Sequence, residues 1–437
     1  MERAERRANL SGLTAAAQNG ILSWPDPGRK TALLQAAKSL AKGKKPVLPD
    51  RFSWPNALLG EGLLAVRERD GSPKALSAVE TYLARWKSAG FPIRYVDNLM
   101  NGMLALRIPG SAPGDFGERQ NPGGPRGARP GQECPGQEGP RREHQNLRGP
   151  YPVSADLYRL CREAADACAA WAKGAPRTAA GILAYRAQHP DWIFADAAGM
   201  VSPFLCRYGA QEGERELTDL GAEQLLGFLE NGMDARTGLP YHGYDERTGT
   251  KYGIIGWGRA CGWLLKGLSE SLPWLSGAAD FAPGRAGSEN AGAKQAGSEN
   301  AGAKQTGSGR AAGLGDAFEA LTDAVLEWQR PDGGFSWQLQ ALDGPRDSSA
   351  DGMIGTALAK GLAEGLYGEE RAARVRRALS ALAEGLEAWA KAGQVGSCSG
   401  ECLGFSEYPQ TYGVYPWGTG TVLEFLAMTD GEIEWEE

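Results

Sequence analysis

Phe194-Ala195-Asp196-Ala197-Ala198-Gly199-Met200 and Tyr95-Val96-Asp97-Asn98-Leu99-Met100 each set one aspartate at the mouth of an apolar helical pattern. From these two starts, apolar residues recur at helical spacing toward both ends of the chain, and no long stretch alternates with period two. The pattern predicts helices at 30–42, 54–69, 74–89, 97–107, 153–173, 197–210, 216–231, 257–273, 315–329, 348–366, 371–392 and 418–428. These form six consecutive hairpins. Closed into a ring they give an all-α fold, an (α/α)6 barrel, in which one helix of each pair lies inside and its partner outside. A linear solenoid competes with this arrangement, but no 34- or 40-residue repeat supports it.

The chemistry-rich residues sit at alternate helix starts. Trp54, Asp97, Asp196, Trp257 with Arg259, Asp347 with Ser348 and Ser349, and Tyr415 with Trp417 fall at the N-terminal ends of the even-numbered helices. In a toroid the inner helices run in one direction, so these starts converge on one rim. There, free N–H groups and the positive dipole ends suit an anionic or sugar ligand. A lone Asp at a helix start is ordinarily a cap, and a lone Trp ordinarily core. Recurrence at every second helix points instead to a site, and 13 Trp against 11 Phe suits stacking on sugar faces.

The 437 residues exceed the usual single-domain size, which fits either two domains or one large closed architecture. The helix pattern favours the second, a single catalytic domain over 1–437 with two interruptions. Residues 109–150 are dense in Gly, Pro, Arg, Gln and Glu and read as a flexible insertion. Residues 285–309 carry AGSENAGAKQ twice in tandem, a low-complexity repeat loop. A net charge of −6 with no long basic run argues against nucleic acid as partner. The charged start Met1-Glu2-Arg3-Ala4-Glu5-Arg6-Arg7 and the lack of an 18-residue apolar run predict a cytoplasmic protein without a membrane partner. Seven scattered cysteines suit reduced thiols, and Cys398 with Cys402 lacks the ligands for zinc, so neither metal nor cofactor is expected.

The densest stretches are Tyr241-His242-Gly243-Tyr244-Asp245 and Trp257-Gly258-Arg259-Ala260-Cys261-Gly262-Trp263. His144 lies in the insertion and His189 precedes a proline, which leaves His242 as the histidine placed for a site. Together with Tyr95 to Gly102, Asp196 to Leu205, Arg207-Tyr208-Gly209, Gln329 to Phe335 and Tyr415-Pro416-Trp417-Gly418, these stretches resemble the unsaturated glucuronyl and rhamnogalacturonyl hydrolases, glycoside hydrolase families 88 and 105. Family 105 is the closer in pattern. The resemblance runs from about Trp54 to Leu426.

That resemblance implies the same (α/α)6 barrel. It also implies a hydrolase, as in pectin degradation, that takes a 4,5-unsaturated uronic acid, galacturonyl or glucuronyl, from the non-reducing end of lyase-generated oligosaccharides. The carry-over puts the acid/base on Asp196 and its partner carboxylate on Asp97. His242 and Arg259 fall on uronate-contacting positions, and Trp263, Trp257, Trp54 and Trp417 are candidate sugar-stacking walls. The chain departs from the pattern at Asn98, where relatives often carry an acid, and at Ala197 and Ala198, where a hydroxyl and a bulkier residue are common. Two other functions compete, a non-catalytic carbohydrate-binding toroid and a sugar epimerase on the same fold. An epimerase leans on paired histidines, which this chain lacks.

Overall fold

The computed structural model describes residues 3–25, 37, 50–109, 153–186, 189–275, 307–391, 394–402 and 404–429. All of the expected insertion beyond 109, the repeat loop up to 306, and the expected helix at 30–42 apart from residue 37 lie outside them. Twelve α-helices are present among the described residues. They are α1 (Arg3–Ser23), α2 (Trp54–Asp70), α3 (Pro73–Ser88), α4 (Met100–Arg107), α5 (Ala155–Gly174), α6 (Ala195–Glu212), α7 (Arg215–Asn231), α8 (Gly258–Leu275), α9 (Gly307–Leu326), α10 (Ser348–Ala363), α11 (Glu369–Trp389) and α12 (Pro416–Thr429).

The even helices touch one another in sequence, and α12 returns to pack on α2, which closes an inner ring. The odd helices lie outside it, and the fold is an (α/α)6 barrel. Burial separates the two layers. In α2 every residue from Pro55 to Arg67 is buried, and in α8 every residue from Gly258 to Leu272. Outer helix α5 buries one stripe, Leu157, Leu160, Cys161, Ala164, Ala165, Cys168, Ala169 and Ala172, at the spacing of an amphipathic helix.

Among the described residues the first outer helix is α1 at 3–23, where none was expected; of the expected helix at 30–42 only residue 37 is described, and it is helical. Helix α1 buries Leu10, Leu13, Ala17 and Ile21 and packs on α2, α3 and α12. Its apolar stripe is thin and sits in a charged segment, so the periodicity there is weak. Strands also appear where none were expected. β1 (Trp192–Phe194) pairs antiparallel with β2 (Gly243–Asp245), and β2 with β3 (Lys251–Tyr252). Three-residue strands are too short to show alternation in sequence.

The inner helices approach closely because glycines stand where they meet. A Cβ on Gly420 in α12 would lie 2.5 Å from the backbone carbonyl of Leu58 in α2, and one on Gly199 in α6 would lie 2.2 Å from the carbonyl oxygen of Trp263 in α8. About two turns below the rim, a largely buried chain of charges crosses the barrel and ends at the surface on Glu68. Lys266 bridges Glu61 (3.0 Å) and Glu270 (2.6 Å), Lys360 bridges Glu270 and Glu424, and Arg107 bridges Glu424 (2.7 Å) and Glu68 (2.9 Å). Burial pushes the Glu61 carboxyl up to about 7, with Lys266 opposing. Among the described residues no helix is long and apolar enough to cross a membrane.

Replacing Gly420 by Ala forces a methyl against backbone. We expect a loss of about 2 kcal/mol or more, which overrides the roughly 1 kcal/mol that Ala gains over Gly in a helix. Gly313 in α9 has open space around its Cβ position and serves as the control. Urea midpoints should fall for Gly420→Ala and hold or rise for Gly313→Ala.

Candidate active site

The small sheet at the rim builds the first part of the site. Phe194 opposes Gly243 across β1 and β2, and the Ala195 N–H donates to the His242 carbonyl (3.0 Å), extending the pairing by one bond. This register sets Asp196, the second residue of α6, beside His242. Asp196 Oδ2 lies 3.3 Å from His242 Nε2. That oxygen is buried and has no hydrogen bond of ordinary geometry. The other face of the imidazole is also occupied, with Tyr408 Oη 3.1 Å and Cys402 Sγ 3.9 Å from Nδ1.

Asp196 and His242 open into a cleft of about 550 Å³, counting the solvent at its mouth. Trp54, Trp257, Trp263 and Arg259 form walls, joined by Tyr185, Arg186 and Glu401. The Trp54 and Trp263 rings meet edge to face at 6.2 Å, and His242 meets Trp257 in the same way at 4.6 Å. Arg259 lies over the Trp257 ring (4.8 Å) and is fixed by donating from Nη1 to the Ser399 carbonyl and from Nη2 to the Gly400 carbonyl, both at 2.8 Å. A guanidinium has five N–H groups, so donors beyond these two exist for a ligand anion. Burial raises the Glu401 carboxyl, while Arg259 and Arg186 pull it down. Two arginines thus face a cleft in a chain whose net charge is −6.

Asp97 stands behind this wall. It lies in a 3-10 turn, Val96–Leu99, that leads into α4, and it is 5% exposed. Asn98 anchors the turn. Its Oδ1 accepts the N–H groups of Arg94 (2.8 Å) and Tyr95 (3.1 Å), and its Nδ2 donates to the Phe52 carbonyl (2.8 Å) and Asp50 Oδ2 (3.1 Å). An acid here could not make those last two bonds. The Asp97 carboxyl is raised to about 7, first by burial and next by Asp50, against backbone N–H groups of Trp54, Asp97 and Asn98. The neighbouring charge that raises Asp97 is Asp50. Asp97 and Asp196 both act on the Tyr185 phenol, which burial also pushes up.

Of the residues expected from sequence, Asp196, His242, Arg259, Trp54, Trp257 and Trp263 line the cleft. Asp97 and Trp417 are not among its lining residues. Trp417 is 2% exposed, its ring is stacked on Tyr415 at 4.7 Å, and its Nε1 donates to the Ser399 carbonyl (2.9 Å). It backs the wall rather than forming it. Sequence reasoning missed Tyr185, Arg186, Glu401 and Tyr408. Cys402 had been considered only for metal, and its approach to His242 spans 160 residues.

A ring of inner helices whose starts surround an acid, an imidazole, an arginine and tryptophan walls defines a helical-toroid carbohydrate enzyme. The sequence profile of Glycosyl Hydrolase Family 88 matches residues 153–280 and 308–430, more than half of the chain, and the chain belongs to that family. It is 30% identical over 104 residues to the unsaturated rhamnogalacturonyl hydrolase YesR of Bacillus subtilis (strain 168). That match spans 23% of this chain and only 30% of the relative's length. Among solved structures, a possible member of the GH105 family from Klebsiella pneumoniae subsp. pneumoniae MGH 78578 superposes with a TM-score of 0.68 at 14% identity, covering 98% of this chain and 93% of that one. The unsaturated glucuronyl hydrolase of Bacillus sp. GL1 gives a TM-score of 0.63 at 14% identity, covering 98% and 97%. At such identities these two likenesses show a shared fold.

The raised Asp97 carboxyl has a consequence for stability. Unfolded, the group ionises near 3.8, and folded near 7, so between these values the folded state holds the extra proton. Stability from this group is complete below pH 4 and is lost as pH rises toward 7. Asp97→Asn removes the dependence. From pH 4 to pH 7 the variant's stability relative to the parent should rise by on the order of a few kcal/mol, and level off beyond, in urea titrations at each pH.

Proposed function

We propose that this chain hydrates the C4=C5 vinyl ether of a 4,5-unsaturated uronic acid at the non-reducing end of a short oligosaccharide, and so releases the next sugar. The observation that carries the reading is the Asp196 carboxyl, at the rim of the cleft with Oδ2 buried and 3.3 Å from His242 Nε2. Membership of Glycosyl Hydrolase Family 88 and the partial match to an unsaturated rhamnogalacturonyl hydrolase support it.

In this reading Asp196 gives its proton to C4, which leaves an oxocarbenium centre at C5. Water adds there and returns its proton to the carboxylate. The C5 hemiketal opens to a ketone, C1 becomes a hemiacetal, and its collapse frees the hydroxyl of the neighbouring sugar. No group attacks the anomeric carbon. Arg259, already oriented by two carbonyls, pairs with the uronate carboxylate, and Trp54, Trp257 and Trp263 wall the sugar. Asp97 acts from behind the wall, a buried carboxyl that keeps a proton near neutral pH and avoids adding a second negative charge beside the site. Six free thiols among the described residues, five of them buried, fit a reducing, cytoplasmic setting. Among the described residues the cleft holds one histidine, which fits this chemistry better than epimerisation.

Unsaturated disaccharides from rhamnogalacturonan, glycosaminoglycan and ulvan, offered side by side, test the reading. At least one should lose its vinyl-ether absorbance with the parent enzyme. Asp196→Asn should reduce that rate by about a thousandfold or more with unchanged helical circular dichroism. Persistence of absorbance for all three, or full activity in Asp196→Asn, contradicts it.

A further inference from the structure

The groups around His242 bear on which ring nitrogen carries its proton. The Ile254 N–H donates to Tyr408 Oη at 3.3 Å. A phenol that accepts a backbone N–H has its own proton free to give, and His242 Nδ1, 3.1 Å away, is the acceptor in reach. The Cys402 thiol is held as a thiol by burial, which pushes it up to about 12, and it donates to the Gly404 carbonyl at 3.0 Å. Neither neighbour therefore asks Nδ1 for a proton. On the far side, Nε2 faces Asp196 Oδ2 at 3.3 Å, a buried oxygen that has no other hydrogen bond.

We propose that Tyr408 is a positioning residue, one that holds His242 as the Nε2–H tautomer through the relay Ile254 N–H, Tyr408 O–H, His242 Nδ1, so that Nε2–H donates to Asp196 Oδ2. Two further observations fit a built device. The Tyr408 ring is wedged against Trp257 and Trp337, each at 5.4 Å between centroids. Gly253 has φ +82, and a Cβ there would come within 2.5 Å of both the Tyr408 hydroxyl and the His242 Cβ, so the approach of phenol to imidazole depends on that glycine. The relay fixes one carboxylate oxygen and leaves the other for proton transfer. It also keeps the imidazole a donor toward Oδ2, so that the proton the carboxyl gives up sits on the other oxygen.

The tautomer stands apart from the proposed reaction, whereas its kinetic consequence rests on that reading, and one experiment separates them. The chain has three histidines, so nitrogen-15 labelling of the imidazoles gives a spectrum simple enough to assign. In the free full-length protein His242 should show a protonated Nε2 and a bare Nδ1. Tyr408→Phe keeps the ring and its packing but should raise the Nδ1–H form several-fold. Cys402→Ala should leave the Nε2–H form in place. With an unsaturated disaccharide as substrate, Tyr408→Phe should lower kcat about tenfold at nearly constant KM. A protonated Nδ1 in the parent protein, or a tautomer ratio indifferent to Tyr408→Phe, overturns the inference, as does a flip caused by Cys402→Ala. If the nitrogen shifts behave as stated while no unsaturated sugar is turned over, the relay stands and the proposed reaction falls.

Discussion

The inner ring depends on close contact between helices, backbone on backbone at some seams and backbone on side chain at others, which glycine allows at the tightest points. Gly420 and Gly62 lie between α12 and α2, Gly352 between α10 and α12, Gly262 between α8 and α10, Gly199 between α6 and α8, Gly102 between α4 and α6, and Gly60 between α2 and α4. Every seam of the ring thus holds a residue whose Cβ would collide with its neighbour. Spacing between packed helices follows the side chains at the contact. Small residues at all six seams draw the helix starts together on one rim, and a cleft at their mouth follows. Deeper down, the chain from buried Glu61 through Lys266, Glu270, Lys360, Glu424 and Arg107 to Glu68 at the surface links five of the six inner helices by paired charges. Removing one of its buried members, Lys266 for example, would strand Glu61 and Glu270 without water, so the chain constrains how the helices register against each other.

The rim loops turn that scaffold into a site. Asp347 caps α10, accepts hydrogen bonds from the Ser349 and Ser399 hydroxyls at 2.6 Å each, and so fixes Ser399. The Ser399 carbonyl accepts from both Arg259 and Trp417, so the helix starts of α8, α10 and α12 meet at one residue. Buried polar networks of this kind are rigid when fully satisfied. The β1 and β2 pairing does the same for Asp196 and His242. Its closeness rests on Gly243, where a Cβ would lie 2.3 Å from the Ile193 carbonyl and from the Phe405 ring.

Much of this was legible in the chain, for reasons that also mark the limits. Eleven of the helices follow from apolar periodicity, because a helix packed on neighbours carries its environment in its own spacing. Helix α1 escaped because Ala-rich turns with four core residues leave a faint stripe. Asp196, His242 and Arg259 were readable because each sits at a helix start or in a dense local motif. Tyr408 and Glu401 were not, since both come from the loop between Cys398 and Tyr412: Tyr408 meets His242, 166 positions away, and Glu401 lines the cleft opposite Arg259 and Arg186. No local pattern encodes such a contact. Asp50 as the charge beside Asp97 escaped sequence reading for the same reason, since it comes from the segment before α2 and has no periodic signature.

The central claim is that a proton from Asp196 goes to a ring carbon while the anomeric bond is untouched until the ring opens. A carbon-linked analogue of the unsaturated disaccharide, with CH2 in place of the glycosidic oxygen, tests it most directly, because that bond cannot hydrolyse by any route. If water adds across C4=C5, the analogue loses its vinyl-ether absorbance in the presence of the enzyme and gains one proton at C4. An analogue that binds the cleft yet keeps its double bond, while the oxygen-linked parent compound is cleaved, would show that the reaction begins at the anomeric carbon and contradict the account.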